Sequence, residues 1–204
     1  MEYTKGNEVQ LSGFTYADWD GSTVDQKITS GYCFSLGSGM TSWCSGKQKS
    51  IALSSAEAEY MAASTASCET IWLCKLLLNL LKKRMEPTEI MCDNQSCIKL
   101  SENPMCHDRS KHIDIWCHFI RDYVQWGDVQ LRYTPTEEQV ANILTKALSK
   151  IKFTYFREKM GMVENSPVKE RMVYRDKGSY SMDEVVAETV PQVAARTLGA
   201  QQVL

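Results

Sequence analysis

The stretch from Leu53 to Asn94 constrains this chain most: LSSAEAEYMAAS opens a long helix-forming run, and TEIMCDN follows it after a proline. Ser54 and Ser55 are N-cap candidates with Glu57 and Glu59 just inside the helix, where a hydroxyl satisfies free backbone donors and the dipole favours negative charge. From Met61 onward, Ala62, Cys68, Trp72, Leu73, Leu76, Leu77, Leu80 and Leu81 recur at threes and fours, which predicts a broad apolar stripe buried in the core. Pro87 stops the helix. TEIMCD is a short β-biased run whose polar end puts Asp93 at the rim of a sheet, where sites of α/β proteins gather. Glu59 and Asp93 can therefore meet at one sheet edge, the arrangement a metal-dependent nuclease uses. An N-capping glutamate and a strand-ending aspartate are the commoner explanation of such a pair.

Before this stretch, LSGFTYADWDG mixes β-formers with a glycine-containing end, and TSGYCFSLGSGMTSWCSGKQ reads as two strands joined around Gly37 and Gly39. Three adjacent antiparallel strands follow. After Asp93, NQSCIKLSEN predicts a short helix ending near Asn103. Between Arg109 and Trp126 the positions Ile113, Trp116, Phe119, Ile120, Tyr123 and Val124 recur with helical period and predict a core face, closed by Gly127. Alternation of Val129, Leu131 and Tyr133 gives a last strand. Thr136 and Gln139 form a capping box for a helix over TEEQVANILTKAL.

A chain of 204 residues with 43% hydrophobic content can bury a real core, and about 150 residues suffice for one α/β domain. Its net charge of -2 argues against binding nucleic acid by bulk electrostatics, so any such contact must come from local basic patches. The eight cysteines include no CxxC pair, and the start MEYTKGNEVQ is polar. Free thiols in a reducing, intracellular compartment, cytoplasmic or nuclear, are expected, without a secretion signal or a membrane span.

Taken together, LSSAEAEYMA, CDNQSCIKLSENP, DRSKHIDIWCHFIRD and YTPTEEQVANILTKAL resemble the ribonuclease H domain that ends the polyprotein of copia-type retrotransposons, from roughly Ser12 to Val163 and in the family's order. The resemblance implies a ribonuclease H-like α/β fold: a five-stranded mixed sheet with its first three strands antiparallel and the 88–93 strand beside the first. It divides the chain into a polar lead over 1–11, a domain over 12–163 and a tail over 164–204. It also implies an ancestral joining to reverse transcriptase and integrase, an RNA–DNA hybrid or other nucleic acid as partner, and cleavage of the RNA strand. In that chemistry two divalent ions, magnesium or manganese, are held by four acidic residues.

By the same resemblance, the second and third acidic positions are Glu59 and Asp93, expected both to be catalytic and to bind metal. Glu59 is preferred to Glu57 because the family's catalytic glutamate precedes an aromatic or aliphatic residue and then a small one, as in Glu59-Tyr60-Met61-Ala62. The other two positions depart from the pattern. Tyr16 stands where the family reads the first aspartate of D-x-D-W, and Asn142 stands where it reads V-A-D-I. Neutral tyrosine is a poor magnesium ligand, whereas asparagine keeps a carbonyl oxygen without the charge. Asp18, on the same strand face about 6.5–7 Å further on, is a substitute, but in-line geometry tolerates little displacement. Impaired or lost catalysis is therefore expected.

Lys47, Lys49, Arg109, Lys111, His112 and Lys146 border this site and form a candidate track for phosphates, although each alone reads as an ordinary solvated charge. Cys106, His107, His112, Cys117 and His118 invite zinc by type, but Cys117 and His118 are adjacent on a helix and diverge. Besides a weakened nuclease, a non-catalytic nucleic-acid-binding module and a relict protein-interaction domain fit the sequence.

From about Asn165 the chain departs from the family, with Pro and Gly breaks and polar composition, and reads as a flexible tail. Limited proteolysis is expected to cut beyond Pro167 while sparing the preceding domain. Full protection of that tail would contradict this reading.

Overall fold

The computed structural model describes residues 10–19, 27–82, 84–103 and 119–162. Arg109, Lys111, His112, the Cys106–His118 cluster and the 164–204 tail lie outside the described residues.

Strands β1 (Leu11–Asp18), β2 (Thr29–Leu36) and β3 (Gly39–Lys47) form an antiparallel meander. The long helix α1 (Ser55–Leu81) then crosses to β4 (Thr88–Cys92), which pairs parallel with β1. Helices α2 (Gln95–Glu102) and α3 (Phe119–Trp126) lead to β5 (Val129–Tyr133), parallel to β4. The expected five-stranded mixed sheet is present, in the order β3-β2-β1-β4-β5. Two 3-10 turns, Thr136–Glu138 and Val140–Leu144, precede α4 (Lys150–Lys159).

Ser54 caps α1, its hydroxyl accepting from the Glu57 amide at 3.2 Å, while the Glu57 carboxylate accepts from the Leu53 amide at 2.7 Å. Small residues then dominate the buried face: Ala58, Ala62, Ala63, Ala66, Ser67 and Thr70 let the helix axis lie close to the sheet. Beyond Thr70 only Leu73 and Leu77 are buried. The broad stripe expected from the sequence is therefore corrected: Cys68, Trp72, Leu76, Leu80 and Leu81 are exposed. A helix of 27 residues runs about 40 Å, whereas the five-residue strand β4 spans about 17 Å, so the last turns have little sheet to cover them.

Two further apolar expectations are corrected. Phe119, at the start of α3, is 50% exposed although Ile120 beside it is fully buried, and Tyr133 at the end of β5 is 52% exposed although Val129 and Leu131 are buried. Tyr133 stands at its strand's end, where neighbouring elements no longer cover both sides. Gly127, at φ 75, ends α3 as expected.

The Thr136–Gln139 capping box does not form, and the helix it would start is replaced by the two 3-10 turns. Gln139 is fully buried and turns back to the sheet, its amide donating to the Met91 carbonyl at 3.2 Å. That tertiary bond pins the segment against β4 and overrides the local helical pattern.

The sheet separates two apolar clusters. Ala17, Phe34, Tyr60, Ile90 and Leu131 belong to the larger one with α1, and Cys33, Met40, Val140 and Phe156 to the smaller one under the 3-10 turns and α4. Gly31 permits the second layer to approach: a Cβ there would lie 2.8 Å from Leu144 Cβ. Gly31→Ala is expected to destabilise the domain by about 1–3 kcal/mol, as overpacking does. Urea unfolding checks this, and an unchanged midpoint would mean the 140–145 segment yields freely.

Candidate active-site cleft

Parallel pairing of β1 and β4 brings their C-terminal ends to one edge. Ser12 pairs with Glu89 and Phe14 with Met91, so the same offset brings Tyr16 level with Asp93. A cleft of about 380 Å³ opens there, lined by Tyr16, Asp18 and Trp19 from β1 and its end, Ser55 and Glu59 from α1, Asp93 and Asn94 after β4, and Lys146. Glu59 and Asp93 both line this cleft, whereas Glu57 serves the helix end.

Glu59 is 3% exposed, and its Oε1 accepts from the Ala17 amide at 2.7 Å. Its Oε2 lies 4.0 Å from the Cys92 thiol, which donates toward it. Burial first, then Cys92 and Asp93, push the Glu59 carboxyl up to about 10, against the smaller opposing effects of the Ala17 amide and Lys146. Burial therefore favours the neutral form of Glu59.

Asp93 Oδ2 accepts from the Thr136 hydroxyl at 2.8 Å. Asn94 beside it caps α2, accepting from the Cys97 amide at 3.0 Å. The Thr136 carbonyl accepts in turn from the Asn142 amide nitrogen at 3.0 Å. Asn142 is 3% exposed and does not line the cleft; its Oδ1 is buried without a hydrogen-bond partner. Of the two positions that depart from the acidic pattern, Tyr16 faces the cleft and Asn142 sits behind it.

Lys146 reaches into the cleft. Its Nζ donates to Tyr16 Oη at 2.6 Å, lies 4.5 Å from the Tyr16 ring centroid and stands 3.8 Å from Asp18 Oδ1. Burial raises the Tyr16 phenol above its ordinary range, opposed by the Lys146 hydrogen bond and charge, so it remains neutral at pH 7. Lys47 ends β3 opposite Thr29, which pairs with Asp18, so it stands at the same sheet end about 10 Å from β1. Lys49 is exposed just beyond it, and neither lysine lines the cleft. Among the described residues, no three His, Cys, Asp or Glu side chains converge where they could hold a metal ion.

Sequence reasoning missed Thr136 and Ala17 as partners of the two acids. The Thr136 signal was hidden by its local resemblance to a cap. A backbone amide such as that of Ala17 leaves no trace in residue type.

No family model matches the chain. Over 163 residues, 80% of its length, it is 41% identical to the retrovirus-related Pol polyprotein from transposon RE2 of Arabidopsis thaliana. Over 160 residues, 78% of its length, it is 40% identical to the retrovirus-related Pol polyprotein from transposon TNT 1-94 of Nicotiana tabacum. The matches span 11% and 12% of those polyproteins. Among solved structures, the LC11 ribonuclease H1 in complex with RNA/DNA hybrid aligns with a TM-score of 0.48 and 13% identity, over 67% of this chain and 94% of that one. Among the described residues, no helix is long and apolar enough to cross a membrane.

The buried Glu59 carboxyl gives a pH dependence. Above 4.5 the unfolded chain has released a proton that the folded chain keeps until about 10, so the stability it contributes is complete below 4.5 and declines between those values. Glu59→Gln keeps an acceptor for the Ala17 amide and removes the titration. Its urea midpoint is expected to match the parent's near pH 5 and exceed it near pH 9. Parallel losses of midpoint in both proteins over that range would refute a protonated Glu59.

Proposed function

We propose that this chain, which belongs to the ribonuclease H domains of copia-type retrotransposon Pol polyproteins, is a domain whose ancestral cleavage of RNA in RNA–DNA hybrids is lost or strongly impaired. The nucleic-acid partner is a hybrid, met at the sheet edge where Asp93 and Glu59 share a cleft. Divalent ions supply the chemistry in such a site by activating water and stabilising the leaving 3′ oxygen. The donor set here does not suit them.

One observation carries this reading: both replaced positions are engaged elsewhere, Tyr16 with Lys146 and Asn142 with the Thr136 carbonyl. Magnesium sheds its water reluctantly and needs anionic oxygens to do so. Asp93 remains, whereas burial disfavours the charged form of Glu59, whose Oε1 already accepts from the Ala17 amide. Asp18 faces Lys146, which offsets its charge. What the residues themselves still do is position: the Ala17 amide holds Glu59, and the Thr136 hydroxyl orients Asp93.

Hybrid cleavage with magnesium or manganese tests this. The parent is expected to cleave on the order of a hundredfold or more slower than the double variant Tyr16→Asp with Asn142→Asp, which restores both anionic positions. Asp18→Asn in the parent should change little. Efficient cleavage by the parent, abolished by Asp18→Asn, would make Asp18 the first catalytic aspartate and defeat the reading.

A further inference from the structure

The geometry points to Lys146 as the resident cation of this cleft: its ammonium, hydrogen-bonded to Tyr16 and facing Asp18, offsets part of the acidic charge without a divalent ion and opposes the entry of one. This deepens the reading above and rests on it. Three observations support it.

First, the ammonium is built into the site. Lys146 follows the 140–144 turn, which is fastened by the Ser45 hydroxyl donating to the Leu144 carbonyl at 2.6 Å and by the Thr145 hydroxyl donating to the Asn142 carbonyl at 3.2 Å. The Lys146 amide donates to the same Asn142 carbonyl at 3.4 Å. The side chain is 33% exposed, and that of Asp18 only 12%. A freely solvated lysine would gain little from an ion pair. This one is held from the backbone outward.

Second, Tyr16 supplies what a cation accepts and a divalent ion does not. Its phenolic oxygen accepts a hydrogen bond from the Lys146 nitrogen at 2.6 Å. That hydrogen bond favours an ammonium. Neutral phenol offers magnesium neither charge nor a preferred ligand.

Third, the ammonium offsets charge where a dication would have to enter. Asp18 and Asp93 bring negative charge to the cleft, and Lys146 returns a positive one within 3.8 Å of Asp18. A dication approaching Asp18 would meet like charge at close range, where it is least screened.

The test is manganese binding followed by electron paramagnetic resonance, with thermal midpoints measured in chelator and in manganese. Lys146→Gln is expected to bind manganese on the order of tenfold or more tightly than the parent, because one repelling charge is gone. Its midpoint should fall in chelator and recover with manganese, while the parent's midpoint stays put. Adding Asp18→Asn to Lys146→Gln should abolish the gain, assigning the ion to the cleft. Tyr16→Phe, which removes only the hydroxyl, should bind manganese more tightly than the parent and less tightly than Lys146→Gln, and it decides the matter if Lys146→Gln fails to fold. Equal manganese binding by the parent and these variants, or a parent midpoint raised by manganese, would overturn the assignment. Hybrid cleavage measured on the same samples separates the two ideas: cleavage by the parent defeats the proposed function, whereas equal manganese binding without cleavage defeats only the role of Lys146.

Discussion

The hydrogen bond from the Ala17 amide to Glu59 Oε1, 2.7 Å long and buried, ties the start of α1 to the end of β1. The β1–β4 ladder has its last pair at Phe14 and Met91, so beyond that point a side chain from the helix takes up the strand's free donor. A buried amide without a partner would cost about 1–3 kcal/mol. Glu59 meets that need only while it is itself buried, and burial keeps its proton on. The amide bond favours the carboxylate that a metal would need, and burial opposes it.

The same tension runs through the opposite wall of the cleft. Thr136 holds Asp93 through its hydroxyl, and Asn142 holds Thr136 through its amide, so the strand-end acid is oriented by a chain of polar groups reaching into the 3-10 segment. Gln139 fixes that segment to β4 from beneath. The polar contacts that shape the site are mostly contacts between elements distant in sequence. They act together, and loss of one member leaves its neighbours unsatisfied.

This explains what the sequence could and could not disclose. The strands and the α1 start were legible because each is carried by local pattern or by motif. The placing of β4 beside β1 was legible only through family resemblance, and the register that levels Tyr16 with Asp93 was not read from it. The exposed turns of α1 were not, because periodicity reports which residues share a face but not how far the sheet extends beneath them. Nor was the 136–144 segment: its local signals favour a helix, and the decisive bond is made to Met91, 48 residues earlier. Lys146 was legible as a charge but not as a charge turned inward.

Asn142 shows why a lost ligand can still be a good residue. Its amide nitrogen donates to a carbonyl that a carboxylate could only repel, and the side chain is 3% exposed. Its remaining defect is one orphaned oxygen, a cost of about 1–3 kcal/mol. An ionised aspartate in the same buried orientation would carry a larger penalty, since an unpaired charge costs more to desolvate than an amide oxygen. An acid at this position is therefore tolerable only where a cation compensates it or where the 3-10 segment turns it toward the cleft. Asparagine needs neither, and the segment can settle into its own hydrogen bonds. The domain thereby keeps a connected polar frame around Asp93 while giving up the charge that frame would otherwise have had to balance.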